Sequence, residues 1–345
     1  MSRAERIRIY DVARVAGVSV ATASKALNDT GRMTAETRQR VKQTAAALGF
    51  RPNAMARALV RQRSFTVGLL TNDTYGRFTL PVMAGISEAL VDEGVSVFLC
   101  GIEDDAALGK VHVDAMLDKQ VDGIIASGKR IDRRLPIELS NLPVPVVYAF
   151  TEGPEDAITL VSDDEQGARS AVEWLVGLGR RRIVHVTGPA SFASAAARAA
   201  AYRDIVGSEG RVLHGSWSEA WGHEALDRLW REGERPDAIF CGNDQIARGV
   251  VDALRERGVR VPEDVSVVGF DNWEIVAAAT RPPLTTVDMN LKELGREAGR
   301  LVLELAEGKP VESGVRKLPC KLVVRQSCGG GAEKDRDGEE AGPGA

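Results

Sequence analysis

From Phe65 onward the sequence alternates short apolar runs with amphipathic stretches, and that alternation leaves few folds open. FTVGLL (65–70), SVFLC (96–100), GIIA (123–126) and VPVVYAF (144–150) read as strands buried on both faces, with helical stretches between them at about 80–92, 106–119 and 133–140. A second set follows the same rule: ITLVS (158–162), RIVHVTG (182–188), VLHG (212–215), AIFCG (238–242) and VSVVGF (265–270). Its helices are expected at about 164–177, 194–206, 218–231 and 244–257. Parallel strands need crossover helices, so two rounds of alternation predict two doubly wound parallel-sheet α/β subdomains. Leu284–Val287 adds a strand, a helix follows at about 290–306, and a last strand lies near Lys317–Val324. From Cys328 to Ala345 the chain is rich in glycine and charge and is expected to be disordered, with no heptad for a tetramerising helix.

The N-terminal stretch Ile9–Asn28 has a different texture. It reads as two short helices with a tight break. Val12, Ala13 and Ala16 form one narrow apolar stripe. Gly17 supplies the break, where the absence of Cβ permits positive φ, and Ser19 stands where an N-cap belongs. Ala23, Ala26 and Leu27 are placed to pack inward, leaving Val20, Ala21, Thr22, Ser24, Lys25 and Asn28 outward. A third helix at about Ala35–Leu48, with Thr34 as its cap and Gly49 at its end, completes an all-α head of roughly fifty residues. Such a helix–turn–helix lays its second helix in the DNA major groove, although a plain helical hairpin has the same periodicity. The segment from Arg51 to Leu59 has helix-favouring residues but is too short to be stable alone, so it is expected to fold only on contact.

Charge separates the two readings of the hairpin. The 345 residues carry a net charge of −4, yet residues 1–64 hold 13 Lys/Arg against 4 Asp/Glu, or +9, which leaves −13 for the rest. A basic head on an acidic body suits a nucleic-acid-binding module carried by a sensor. The four cysteines show no C-x-x-C spacing, and Cys100 and Cys241 end apolar runs as buried thiols would. The N-terminus is charged from the start, so no secretory signal is expected, and no window nears 18 uninterrupted apolar residues. Reduced cysteines and no signal predict a cytoplasmic, nucleoid-associated protein. The histidines at 112, 185, 214 and 223 have no metal-ligand spacing, and no H-E-x-x-H, G-x-S-x-G, P-loop or G-x-G-x-x-G occurs. No enzyme, cofactor or metal is expected.

Beyond these patterns, particular residues carry a likeness. Tyr10-Asp11-Val12-Ala13, Ala16-Gly17-Val18-Ser19, Thr22, Ser24 and Asn28 resemble the opening of LacI/GalR-type bacterial transcriptional regulators. So do Thr37-Arg38, Val41, Leu48-Gly49-Phe50, Pro52-Asn53, Ala56-Arg57 and Leu59. The likeness continues through Val121–Ile125, Gly188-Pro189, Cys241–Asp244, Val261-Pro262, Asp264–Asp271 and Pro283–Thr286, covering about residues 8–327 in order. It implies a helix–turn–helix head at 8–50, a hinge helix and linker at 51–64, and an effector-binding and dimerisation body at 65–327, with a tail at 328–345. The body would resemble a periplasmic binding protein, with an N-subdomain of about 65–161 plus 288–318 and a C-subdomain of about 162–287 plus 319–327. The chain would cross between them near 162, 288 and 318.

The resemblance also implies roles. Val20, Ala21 and Lys25 would read bases, the first two only through van der Waals contact and Lys25 as a guanine contact without a rigid fork. Tyr10, Ser19, Thr22, Ser24 and Asn28 would position phosphates. Asn53, Ala56, Arg57 and Leu59 match the hinge helix that folds on DNA, with Leu59 as the minor-groove wedge. In the cleft, Phe78, Thr79, Phe192, Ser194, Arg198, Trp217, Asn243, Asp271 and Trp273 are the candidate effector contacts. Planar amide, carboxylate and guanidinium groups beside a tryptophan suit a carbohydrate, although Asp271 could instead cap a helix and Trp217 could be core. Relatives that bind purines carry arginine at the position of Phe192, so its absence points away from an anionic purine or carboxylate ligand. The expectation is a homodimeric repressor of a pseudo-palindromic operator, released by a sugar or glycoside. The alternative is an effector or protein partner acting as corepressor or activator.

Overall fold

The computed structural model describes residues 7–50 and 63–329. The hinge candidates Asn53, Ala56, Arg57 and Leu59, and the tail beyond Gly329, lie outside the described residues. The head consists of α1 (Ile9–Val15), α2 (Val20–Leu27) and α3 (Ala35–Ala47). Between α1 and α2, Gly17 adopts φ +65°, a left-handed conformation that costs glycine little. The Ser19 hydroxyl accepts from the Thr22 N–H at 3.1 Å, and the Thr34 hydroxyl does the same for Thr37 at 3.2 Å, so both following helices carry side-chain caps. Val12, Ala13, Ala16, Ala23, Ala26, Val41 and Ala45 close a small core of short side chains.

The body is built on two six-stranded sheets. The first uses β1 (Thr66–Thr71), β2 (Ser96–Gly101), β3 (Gly123–Arg130), β4 (Val146–Thr151), β5 (Ile158–Ser162) and β11 (Gly314–Leu318), ordered β11–β5–β4–β3–β1–β2 and parallel throughout. Helices α4 (Thr79–Leu90), α5 (Ala106–Asp118) and α11 (Leu291–Ala306) accompany it. The second uses β6 (Ile183–Thr187), β7 (Val212–His214), β8 (Ala238–Cys241), β9 (Ser266–Asp271), β10 (Thr285–Asp288) and β12 (Lys321–Val323), ordered β12–β10–β9–β8–β6–β7. Only β12 runs antiparallel there, pairing with β10. Its helices are α6 (Asp164–Gly177), α7 (Ala193–Val206), α8 (Glu219–Arg231), α9 (Asp244–Glu256) and the short α10 (Glu274–Ala277). The chain leaves the first sheet after Ser162, returns to it after Asp288 and α11, and crosses once more after Leu318.

Four local expectations need correction. The run 158–162, grouped by pattern with the second set of strands, pairs with β4 and β11 in the first sheet. The stretch 133–140 forms no helix; Leu135 and Leu139 are buried in turns and extended chain, because Pro136 interrupts the segment after three residues. The single last strand is two, β11 and β12, split at Pro319 and contributed to different sheets. Cys328, placed by composition at the start of the tail, is 1 % exposed and accepts from the Trp174 indole N–H at 3.3 Å. All four cysteines are buried and unpaired.

His185 is fully buried in β6, stacked on Phe240 with centroids 4.5 Å apart, and burial pushes its pKa down to about 3. The unfolded chain takes a proton near pH 6.5 that the folded ring refuses, so this group's contribution to stability is present above that pH and is lost as pH falls towards 3. His185→Phe is expected to flatten the acid limb of the unfolding profile. An unchanged limb in urea titrations at pH 7 and pH 5 would assign it elsewhere.

Candidate functional site

On the head, the exposed side chains of α2 are the ones its short inward residues leave over. Val20, Ala21 and Lys25 are exposed, as are Ser19 and Tyr10, while Thr22, Ser24 and Asn28 are half-buried. Ser19 is engaged as the cap and shares a 2.8 Å hydroxyl contact with Thr22. The Asn28 amide donates to the Ser24 carbonyl at 2.9 Å, closing the last turn of α2. The Arg40 guanidinium donates to the Ala16 carbonyl at 3.2 Å and ties α3 to the turn before α2. The outward face is therefore small, apolar at its N-terminal end and cationic at Lys25, mounted on a braced scaffold.

The body carries a cavity of about 330 Å³ between its two sheets, outside the C-terminal ends of the strands. One wall comes from the second subdomain. Phe192 and Ser194 open α7, Arg198 lies one turn on, Trp217 precedes α8, Asn243 caps α9, and Asp271 ends β9. Trp217 sits directly over Gly188, where any Cβ would lie 2.1 Å from the indole. It meets Phe192 edge to face at 5.7 Å, so the two rings form an apolar corner. Arg198 is 4 % exposed, donates twice to Asp164 at 2.8 and 2.6 Å and once to the Gly242 carbonyl, and stacks on Phe270 at 3.6 Å. Asn243 uses its side-chain oxygen to cap α9, accepting from the Ile246 N–H at 2.8 Å, which leaves its amide donors.

Asp271 does not cap a helix. Its carboxylate pairs with Arg77, which arrives from the loop between β1 and α4 in the other subdomain and also donates to Gln245 at 2.8 Å. Burial lowers the Arg77 pKa to about 10, so it stays charged at neutral pH. Further ties cross the cleft: the Ala193 N–H donates to Asp132 at 2.8 Å, and the Arg130 guanidinium, paired with Asp132, lies 3.5 Å over Phe192. The Arg130 hydrogen bonds hold the Asp132 carboxyl below its usual range.

Two of the sequence candidates stand outside the lining. Thr79 is 2 % exposed and spends its hydroxyl on Thr71 at 2.7 Å. Trp273 caps the short α10, donating its N–H to Asp244 at 2.7 Å, while its ring supports Arg77 from 4.8 Å. Phe78 does line the cavity, stacked on Phe150 at 4.9 Å. The pattern missed Arg77, Lys129, Arg130, Ile131, Arg133, Phe150 and Met289, most of the first subdomain's wall. Lys129 and Arg130 close β3 at its C-terminal end, the same topological place as the residues chosen on the second sheet. That rule would have found them.

Among the described residues no group of His, Cys, Asp and Glu is arranged to hold a metal, and no helix is long and apolar enough to cross a membrane. A three-helix head on a two-sheet cleft domain is the architecture of a DNA-binding regulator. Residues 8–53 match the lacI family of bacterial regulatory proteins, and residues 172–328 match a periplasmic-binding-protein-like domain. Catabolite control protein A of Priestia megaterium is 33 % identical, with 93 % of this chain and 99 % of that protein covered. Among solved structures, the lac repressor dimer bound to operator and the anti-inducer ONPF has a TM-score of 0.71 at 29 % identity, covering 94 % of this chain and 99 % of that one. The complex of the transcriptional regulator CelR with cellobiose has a TM-score of 0.65 at 28 % identity, covering 93 % and 100 %. The chain belongs to the LacI family of DNA-binding transcriptional repressors. It is not an enzyme.

Proposed function

We propose that this repressor is released from its operator by a sugar or glycoside bound in the cleft. The observation that carries the reading is the Phe192–Trp217 corner beside Arg198, Asn243 and Asp271 on one wall of the cavity. A pyranose offers an apolar face to the corner and equatorial hydroxyls to the planar polar groups. The lac repressor and CelR structures, with their operator, anti-inducer and cellobiose, support the same assignment. In this reading the protein acts in the cytoplasm as a homodimer on a pseudo-palindromic site. Val20, Ala21 and Lys25 choose bases, Tyr10, Ser19, Thr22, Ser24 and Asn28 grip phosphates, and Asn53, Ala56, Arg57 and Leu59 form the DNA-induced hinge. Sugar binding shifts the two subdomains and withdraws the hinge, because a ligand biases an equilibrium by its differential affinity for the two states.

Titrating the protein onto operator DNA with and without a panel of sugars tests this. Weaker binding in the presence of one sugar is expected, with Asp271→Ala shifting the sugar concentration needed by about tenfold or more, the loss of one charge-assisted hydrogen-bond set. Tighter binding on adding the sugar would make the ligand a corepressor instead.

A further inference from the structure

The cleft is richer in cations than a neutral sugar needs. Arg77, Lys129, Arg130, Arg133 and Arg198 line it, against a single lining carboxylate, Asp271. Four of the five have acceptors already: Arg198 has Asp164, Arg77 has Asp271, Arg130 has Asp132, and Lys129 reaches Asp104 at 2.9 Å. Asp73 and Asp244 also act electrostatically on Arg77, and Asp104 on Arg133, so what sets Arg133 apart is its unspent hydrogen-bond donors and not a net charge.

The remaining cation is Arg133. Its backbone is fixed, since its carbonyl accepts from the Thr151 hydroxyl at 2.8 Å and from the Glu152 N–H at 3.3 Å. Its exposed guanidinium has no side-chain acceptor among the described residues. The acceptors on the opposite wall are largely spent as well. One oxygen of Asp271 is taken by Arg77, and the Asn243 oxygen by the cap of α9. The first subdomain thus presents unspent guanidinium donors at Arg133 beside Lys129 and Arg130, and a carboxylate or phosphate, which only accepts, is the group that such a wall selects.

We propose that the effector is a monosaccharide-sized ligand with one anionic group, held with its ring at Phe192 and Trp217 and its anion at Arg133, beside Lys129 and Arg130. The inference rests on the sugar reading of the same cleft and adds the ligand's charge. It reverses the expectation drawn from Phe192: that position lacks an arginine, but Arg130 arrives over the same ring from the end of β3 in the other subdomain. A cavity of about 330 Å³ is at the small end for ligand sites, which fits one ring with one substituent.

Calorimetric titration of the full chain with hexose phosphates, uronic and aldonic acids, and their neutral parents provides the test. The expected result is that one anionic class binds about tenfold or more tightly than its neutral parent, with an affinity that falls as salt rises. The phosphate and sugar-acid arms tell the two sources of charge apart. Arg133→Gln is expected to erase the advantage with an unchanged unfolding midpoint, and Arg133→Lys to restore part of it. Equal binding of neutral and anionic partners, untouched by Arg133→Gln, would overturn the charge assignment and leave the sugar reading standing. No binding by either set would overturn both.

Discussion

Replacing Arg198 with methionine is expected to lower the body's unfolding free energy by about 3–5 kcal/mol, because it strips a buried carboxylate of its cation. Arg198 and Asp164 are each 4 % exposed in their side chains, with a second carboxylate, Asp271, 4.0 Å away on the other side. Methionine fills most of the aliphatic volume, so the loss reports charge rather than a cavity. Asp271 keeps Arg77, but Asp164 is left with a carboxylate oxygen that already has no partner and another that loses both of its donors. The double change Asp164→Leu with Arg198→Met is expected to recover much of the deficit, since an apolar pair avoids the desolvation cost of both ions. Urea unfolding of the parent, the single variant and the double variant decides it. A single variant within about 1 kcal/mol of the parent would mean that the pair contributes little and that solvent reaches the site.

The same pair shows how the sequence was legible and where it was not. Arg198 came from the family resemblance, which places it after Gly188-Pro189 near the start of a helix that follows a strand. Asp164 was not, although it opens α6 and reads in sequence as an ordinary helix-start acid. Its role depends on α6 and α7 meeting, which no local pattern encodes. Repeated strand–helix alternation and the two capped helices of the head were legible because periodicity and caps are local. The first subdomain's wall was not, since Lys129, Arg130 and Arg133 look like solvated charges until β3 and β4 bring them to one rim. The membership of 158–162 failed for the same reason: a strand's sequence states that it is buried, not which sheet buries it.

Glycines inside helices were passed over entirely, and they carry the second large effect. Gly85 of α4 and Gly295 of α11 face each other across the contact that joins the two distant pieces of the first subdomain. A Cβ on Gly85 would lie 1.8 Å from the Lys292 carbonyl oxygen, and one on Gly295 would lie 2.0 Å from that of Val82. In the second subdomain a Cβ on Gly249 of α9 would lie 2.0 Å from the Glu219 carbonyl oxygen. Each obstacle is backbone, so no rotamer change relieves it and the helices must move apart. Alanine gains about 1 kcal/mol of intrinsic helix propensity over glycine, so propensity alone says that all three substitutions stabilise. Overpacking of a close-packed contact costs about 1–3 kcal/mol and more where backbone cannot yield, so the clash wins. Gly85→Ala and Gly295→Ala are each expected to lower stability by about 3 kcal/mol on that scale. Gly177, the last residue of α6, supplies the opposite sign: nothing lies within 4 Å of its would-be Cβ. Gly177→Ala is expected to gain up to about 1 kcal/mol. If thermal unfolding moved Gly85→Ala and Gly177→Ala in the same direction, propensity rather than contact would govern these positions. Opposite shifts establish that α4 and α11 touch through their backbones, and that this contact makes one subdomain of residues more than two hundred positions apart.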